Sequence, residues 1–163
     1  MTPEFGGGSR LFVLDMRTLA LFATLVFAAA CTTQGAAEGP LTFRKVAEGG
    51  FAATSEGPLA VASTDIEGYH RTWQSLVQEQ HPPAIDFGTE SALFLFAGER
   101  NTGGYWIELK GVALEGETLV VDAVVHGPDP AALVIQAITK PYLVAAVNTK
   151  AFRDVRWKPG PPR

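Results

Sequence analysis

Few residues of this chain are of the types that perform covalent chemistry. Three histidines, His70, His81 and His126, are scattered along it, and Cys31 is the only cysteine. A lone thiol cannot close an internal disulfide. Nor can it build a Cys/His zinc cage. His70 follows Glu67 by three residues, the spacing of a surface pair on one helix face. Glu99 and Arg100 stand side by side at what looks like a solvated strand end. Asp86, Glu90 and Asp122 lack the spacing of a calcium loop. No HExxH, GxSxG, phosphate-binding loop or dinucleotide fingerprint is present. No nucleophile, base and orienting group assemble from these residues, so the expectation is a non-enzyme with no cofactor and no metal.

The stretch ERNTGGYWIEL, from Glu99 to Leu109, points to binding instead. Thr102-Gly103-Gly104 can supply positive φ in a tight turn, and glycine also lets another backbone come close. Tyr105 and Trp106 then face opposite sides of a strand. One can fill the core while the other shows an aromatic surface beside the turn. A ring held next to a stiff loop is a common centre of a protein-binding surface. The alternative is a hairpin whose two rings both pack inside the domain.

These residues must be carried by a mainly β domain. LTFRKVAEGGFA and SEGPLAVAS read as strands, with Gly49-Gly50 as a bend. Ile66, Tyr69, Trp73, Leu76 and Val77 recur at steps of three and four, predicting one amphipathic helix from about Asp65 to Gln80. Thr64 is its expected N-cap, with Glu67 completing a capping box, and HPP stops it. SALFLFAGE is apolar on both faces and predicts a central strand. YWIELKGVALEG alternates, with Tyr105, Ile107 and Leu109 on one face. ETLVVDAVVHG, AALVIQAIT and YLVAAVN complete the set, six or seven strands with short antiparallel connections. The expected class is α+β: a mainly antiparallel β sandwich or open barrel with one helix covering an end.

The ends of the chain read differently. MRTLALFATLVFAAAC, ending at Cys31, has the basic start, apolar run and small residues of a secretory signal. The run is about a dozen residues, short of the roughly 20 a membrane span needs. It resembles a bacterial lipobox, with Ala28 where the usual Leu would stand, and this implies diacylglyceration of Cys31. Ordinary cleavage and an unprocessed thiol are the other readings. The expected organisation is an upstream extension and signal over 1–31, a flexible tether over 32–40, one domain over 41–149, and a basic, Pro-rich tail over 150–163. Thr32 replaces the Asp linked to inner-membrane retention in some bacteria, which favours an outer-membrane address in the envelope. The net charge of −4 over 163 residues combines an acidic body with that basic tail, and argues against a nucleic-acid partner.

FLFAGERNTGGYWIELKGVALEGETLVVDAVVHGPDP, followed by QAITKPYLVAAV, resembles the C-terminal domain of PrcB-type protease-complex subunits. The matching residues are Gly98, Arg100, Thr102, Gly103, Gly104 and Tyr105, then Gln136, Ala137, Thr139, Pro141 and Tyr142. Upstream, Trp73, PP, Asp86 and Phe87 fit the same family, so the resemblance spans about 43–147. The loop HGPDPAA departs from it, being more polar in many relatives. The resemblance implies a non-catalytic, often lipid-anchored envelope protein, an accessory subunit that associates with a subtilisin-like protease. The expected contact residues are Arg100, Asn101, Thr102, Gly103, Gly104, Tyr105, Trp106, Pro141 and Tyr142. The expected partners are a secreted protease or another envelope protein, and a lipid membrane through acylated Cys31. The turn also resembles the loop of chagasin-type inhibitors, which implies protease inhibition as an alternative. A structural envelope lipoprotein is a third reading.

Overall fold

A computed structural model describes residues 39–54, 56–78 and 81–159. These belong to one of two units, Gln34–Arg163. The signal segment, Cys31 and most of the tether lie outside the described residues. Eight strands are described: β1 (Gly39–Pro40), β2 (Phe43–Gly49), β3 (Leu59–Ser63), β4 (Ser91–Phe96), β5 (Trp106–Glu115), β6 (Thr118–His126), β7 (Tyr142–Val147) and β8 (Asp154–Pro159). They form two four-stranded sheets, ordered β1-β5-β6-β8 and β2-β7-β4-β3. Every pairing is antiparallel except β6 with β8. The expected sandwich is therefore present.

β4 and β7 sit in the middle of their sheet and are buried on both faces. Leu93, Leu95, Leu143, Ala145 and Val147 face the other sheet, meeting Ile107, Val112, Leu119 and Val121. Ala92, Phe94, Phe96, Tyr142 and Val144 face the opposite way and are covered by Tyr69, Trp73 and Val77. Backbone pairing on both sides and apolar burial on both faces make this strand pair the stable centre of the fold.

The covering helix is shorter than its pattern predicts. α1 spans Ile66–Thr72 and continues as a single π-helical turn, Trp73–Val77. Its N-cap is Asp65 rather than Thr64, the carboxylate accepting the Gly68 N–H at 2.8 Å. Ile66 is exposed, so the buried stripe is Tyr69, Trp73 and Val77 with Leu76 at its margin. Gln78 ends the turn at φ 64°, donating its N–H to the Trp73 carbonyl at 2.8 Å. The helix lies across a sheet face, not over an end of the sandwich. Tyr69 is packed among Phe87, Phe94 and Trp73 and donates its hydroxyl to the Pro83 carbonyl at 2.8 Å.

Two further corrections concern the ends. Gly39 and Pro40, read as tether, pair with Leu114 and Ala113. The stretch read as a tail supplies β8, whose Val155 and Trp157 pack on the inter-sheet core with Phe152. The Trp157 indole N–H donates to the Ala123 carbonyl at 3.0 Å. The basic residues of β8 alternate outward, where Arg156 and Lys158 meet Glu115. Such exposed pairs contribute little to stability. AALVIQAIT is also not a strand; it is an open loop between β6 and β7.

Removing the Trp157 ring is expected to cost about 2 kcal/mol or more, measured as Trp157→Ala by urea denaturation. A change within about 0.5 kcal/mol would return β8 to the status of a tail. Burial pushes the Tyr69 hydroxyl up to about 12 from 10.0. The folded state therefore holds this proton more tightly. Burial opposes ionisation of this group, so stability is insensitive to it below about pH 10 and falls as pH rises toward about 12. Tyr69→Phe should flatten the fall in stability between those values relative to wild type.

Candidate docking site

The connections β2–β3, β4–β5 and β6–β7 all lie at one end of the sandwich. At this end Gly49 pairs with Tyr142, Phe96 with both Leu59 and Tyr142, and Trp106 with His126. The β4–β5 turn, residues 97–105, docks against the β6–β7 loop, residues 127–141. Arg100 and Thr139 exchange backbone hydrogen bonds at 2.8 and 2.9 Å. The Gly103 N–H donates to the Ile135 carbonyl at 3.0 Å, and the Ala97 N–H to the Pro141 carbonyl at 2.9 Å. The buried Thr139 hydroxyl donates to the Thr102 carbonyl at 2.7 Å. The two motifs of the sequence, TGGY and QAITKPY, are one interlocked structure.

This explains the paired glycines. Gly104 has φ +84°, and a Cβ there would lie 2.8 Å from Pro128 and 3.0 Å from Val134. A Cβ on Gly103 would lie 2.6 Å from the Ile135 side chain. Gly104 meets a conformational demand as well as a steric one. Gly103 is needed because the second loop passes against it.

The expected contact residues fall into distinct places. Asn101 is exposed and Thr102 half-buried. Arg100 turns inward: its guanidinium donates to the Ala97 carbonyl at 2.9 Å and the Glu99 carbonyl at 3.3 Å, and lies over the Tyr105 ring at 5.6 Å. It therefore braces the turn rather than pairing with the Glu99 carboxylate. Tyr105 is half-buried beneath the loops, close against Gly127. Pro141 and Tyr142 are buried, and Tyr142 belongs to the core under the helix. These two support the site from below and offer no surface. Cys31 is outside the described residues.

Trp106 is the exposed ring, 48% accessible at the start of β5. Its outer-face neighbour is His126, and the two rings stack at 4.4 Å and 14°. The His126 Nε2 lies 2.7 Å from a Glu108 carboxylate oxygen. Cross-strand register thus joins three residues that sequence reasoning had left apart; pairing Trp106 with His126 across the β5–β6 hairpin was the available signal. Leu133, Ile135 and Ile138 were also missed, since their apolar run read as a strand; all three are exposed. Among the described residues no group of His, Cys, Asp or Glu is placed to hold a metal ion, and no helix is long and apolar enough to cross a membrane.

Gly104→Ala should destabilise the fold by roughly 1–3 kcal/mol through the positive φ and the contact with Pro128. Amide exchange at Gly103 and Thr139 should speed up with it. Unchanged exchange would separate the two loops energetically.

Residues 91–148 match the family described as PrcB C-terminal. No curated protein and no solved structure matches the chain. The matched stretch is shorter than the likeness seen by eye, which began near Phe43. It runs from β4 through β7, taking in the two middle strands of each sheet and both interlocked loops. Over residues 91–148, then, this chain carries a PrcB-type C-terminal domain.

Proposed function

We propose that this chain is a non-catalytic envelope lipoprotein, anchored through acylated Cys31, which acts as a protein-binding accessory subunit of a secreted subtilisin-like protease. The observation that carries this reading is the interlock of the two loops. Their backbone groups satisfy one another through the Arg100–Thr139 exchange and the Gly103–Ile135 bond. The result is a preformed surface whose outward side chains are available to another protein, and preorganisation lowers the ordering cost of binding. The PrcB family match over the same loops supports a protease complex as the setting.

Inhibition by the 102–105 turn is the weaker reading. A wedge must stand clear of its own domain, whereas Gly103 is buried against Ile135. Purified full-length chain, added at equimolar ratio to subtilisin-like and papain-like proteases, discriminates the two. The accessory role predicts no stoichiometric inhibition and a longer lifetime for its cognate subtilisin-like enzyme. Stoichiometric loss of activity in either class would favour an inhibitor instead.

A further inference from the structure

We infer that the outer edge of β3 is a site of strand addition for an extended segment of another protein, with a carboxylate of that segment seated between Arg71 and Arg153 in the cleft where β3 ends. β3 and this cleft lie outside residues 91–148. The cleft is at the opposite end of β3 from the interlocked loops, and the site does not rest on their role.

The outer strands of the two sheets are β1, β8, β2 and β3. Three of them are guarded. β1 has two residues, one of them proline. β2 carries a bulge between Lys45 and Ala47 and the charges of Arg44, Lys45 and Glu48. β8 carries Arg156 and Lys158 and closes on Pro159. Charge, proline and bulges are the usual means of keeping a second chain off an edge. β3, with the sequence LAVAS, has none of them: it is uncharged and pairs with β4 in unbroken register. Its free main-chain groups follow from that register. The Ala97 N–H donates to the Pro141 carbonyl, so Leu95 and Leu93 also turn their main-chain groups toward β7, while Phe96, Phe94 and Ala92 turn theirs toward β3. Those three oppose Leu59, Val61 and Ser63. The N–H and C=O of Ala60 and Ala62 therefore point away from the sheet, and no strand lies beside them among the described residues. An extended main chain supplies both donors and acceptors at that spacing. Both alanine side chains pack against the inter-sheet core, which fixes the edge before a partner arrives.

The cleft sets the charge of the segment. Its volume is about 340 Å³, and Ala62, Thr64, Thr72 and Phe152 line it together with Arg71 and Arg153. Two guanidiniums thus stand against one carboxylate, that of Asp65, which already accepts the Gly68 N–H at 2.8 Å. Arg153 is paired with Glu117 at 2.9 Å, whereas Arg71 has no ion pair among the described residues. A carboxylate is the group that a guanidinium binds through two parallel hydrogen bonds. Ala62 belongs both to the free edge and to the cleft lining. The acid therefore sits one or two residues beyond the one opposite Ala62, at about 3.3 Å per residue.

A random peptide library displayed on phage and selected on the full chain tests this. The expected yield includes a class of β-branched sequences with Asp or Glu at one fixed position. Synthetic members should slow amide exchange at Ala60 and Ala62 and lose binding when alternate peptide N–H groups are methylated. They should bind Arg71→Gln about tenfold more weakly than wild type. Arg71 is exposed, so this variant should keep the wild-type thermal midpoint. Absence of such a class overturns the proposal. So do enriched peptides that all leave exchange at Ala60 and Ala62 unchanged, or that bind Arg71→Gln as well as wild type. A concentration-dependent dimer that protects the same two amides without peptide would make a second copy the occupant, and overturns it as well.

Discussion

Everything in this fold hangs from the pairing of β4 with β7. Phe94 opposes Val144, Leu95 opposes Leu143, and Phe96 opposes Tyr142. Each strand is hydrogen-bonded on both edges and covered on both faces. Neither can slip by one residue, because a slip would exchange the set facing the helix with the set facing the other sheet. Aromatic rings lie on the helix side, and smaller aliphatics on the side facing the sandwich. The two sets are not interchangeable in volume, so packing reinforces register.

That pairing also positions the end that carries the candidate docking site. β4 leads directly into the 97–105 turn, and β7 is entered directly from the 127–141 loop. A fixed β4–β7 register therefore brings Arg100 opposite Thr139, and the remaining contacts of the interlock follow. The glycines, the Thr139 hydroxyl and the inward Arg100 guanidinium close the gap between the loops. Trp106 is set by a separate constraint, the β5–β6 register, which stacks it on His126 and brings Glu108 within hydrogen-bonding distance.

The parts that were legible in the sequence are those governed by local pattern. SALFLF shows a buried central strand because both of its faces are apolar. YWIEL shows its alternation until Lys110, where a bulge between Leu109 and Gly111 turns Val112 and Leu114 inward. No local signal marks that shift. AALVIQAIT misled because hydrophobicity is an indicator of burial only when something covers it. The C-terminal stretch misled in the opposite direction: its charges drew attention from Val155 and Trp157, two apolar residues at strand spacing. At the site, Gly104 could be read from conformational preference. For Gly103 a close approach could be read but not its source, because the constraint comes from Ile135, far along the chain. The Glu108–His126 contact likewise exists only once the hairpin register is known.

β8 has a consequence for how the molecule is made. It is the last described segment, it pairs in parallel with β6, and it brings Trp157 to the core. A parallel neighbour cannot be formed by a simple hairpin; it needs a crossover, here by way of β7 in the other sheet. During synthesis the sandwich stays unsealed along the β6 edge until β8 itself has emerged. The core between the sheets is thus closed from the C-terminal side, with Phe152, Val155 and Trp157 as its last pieces.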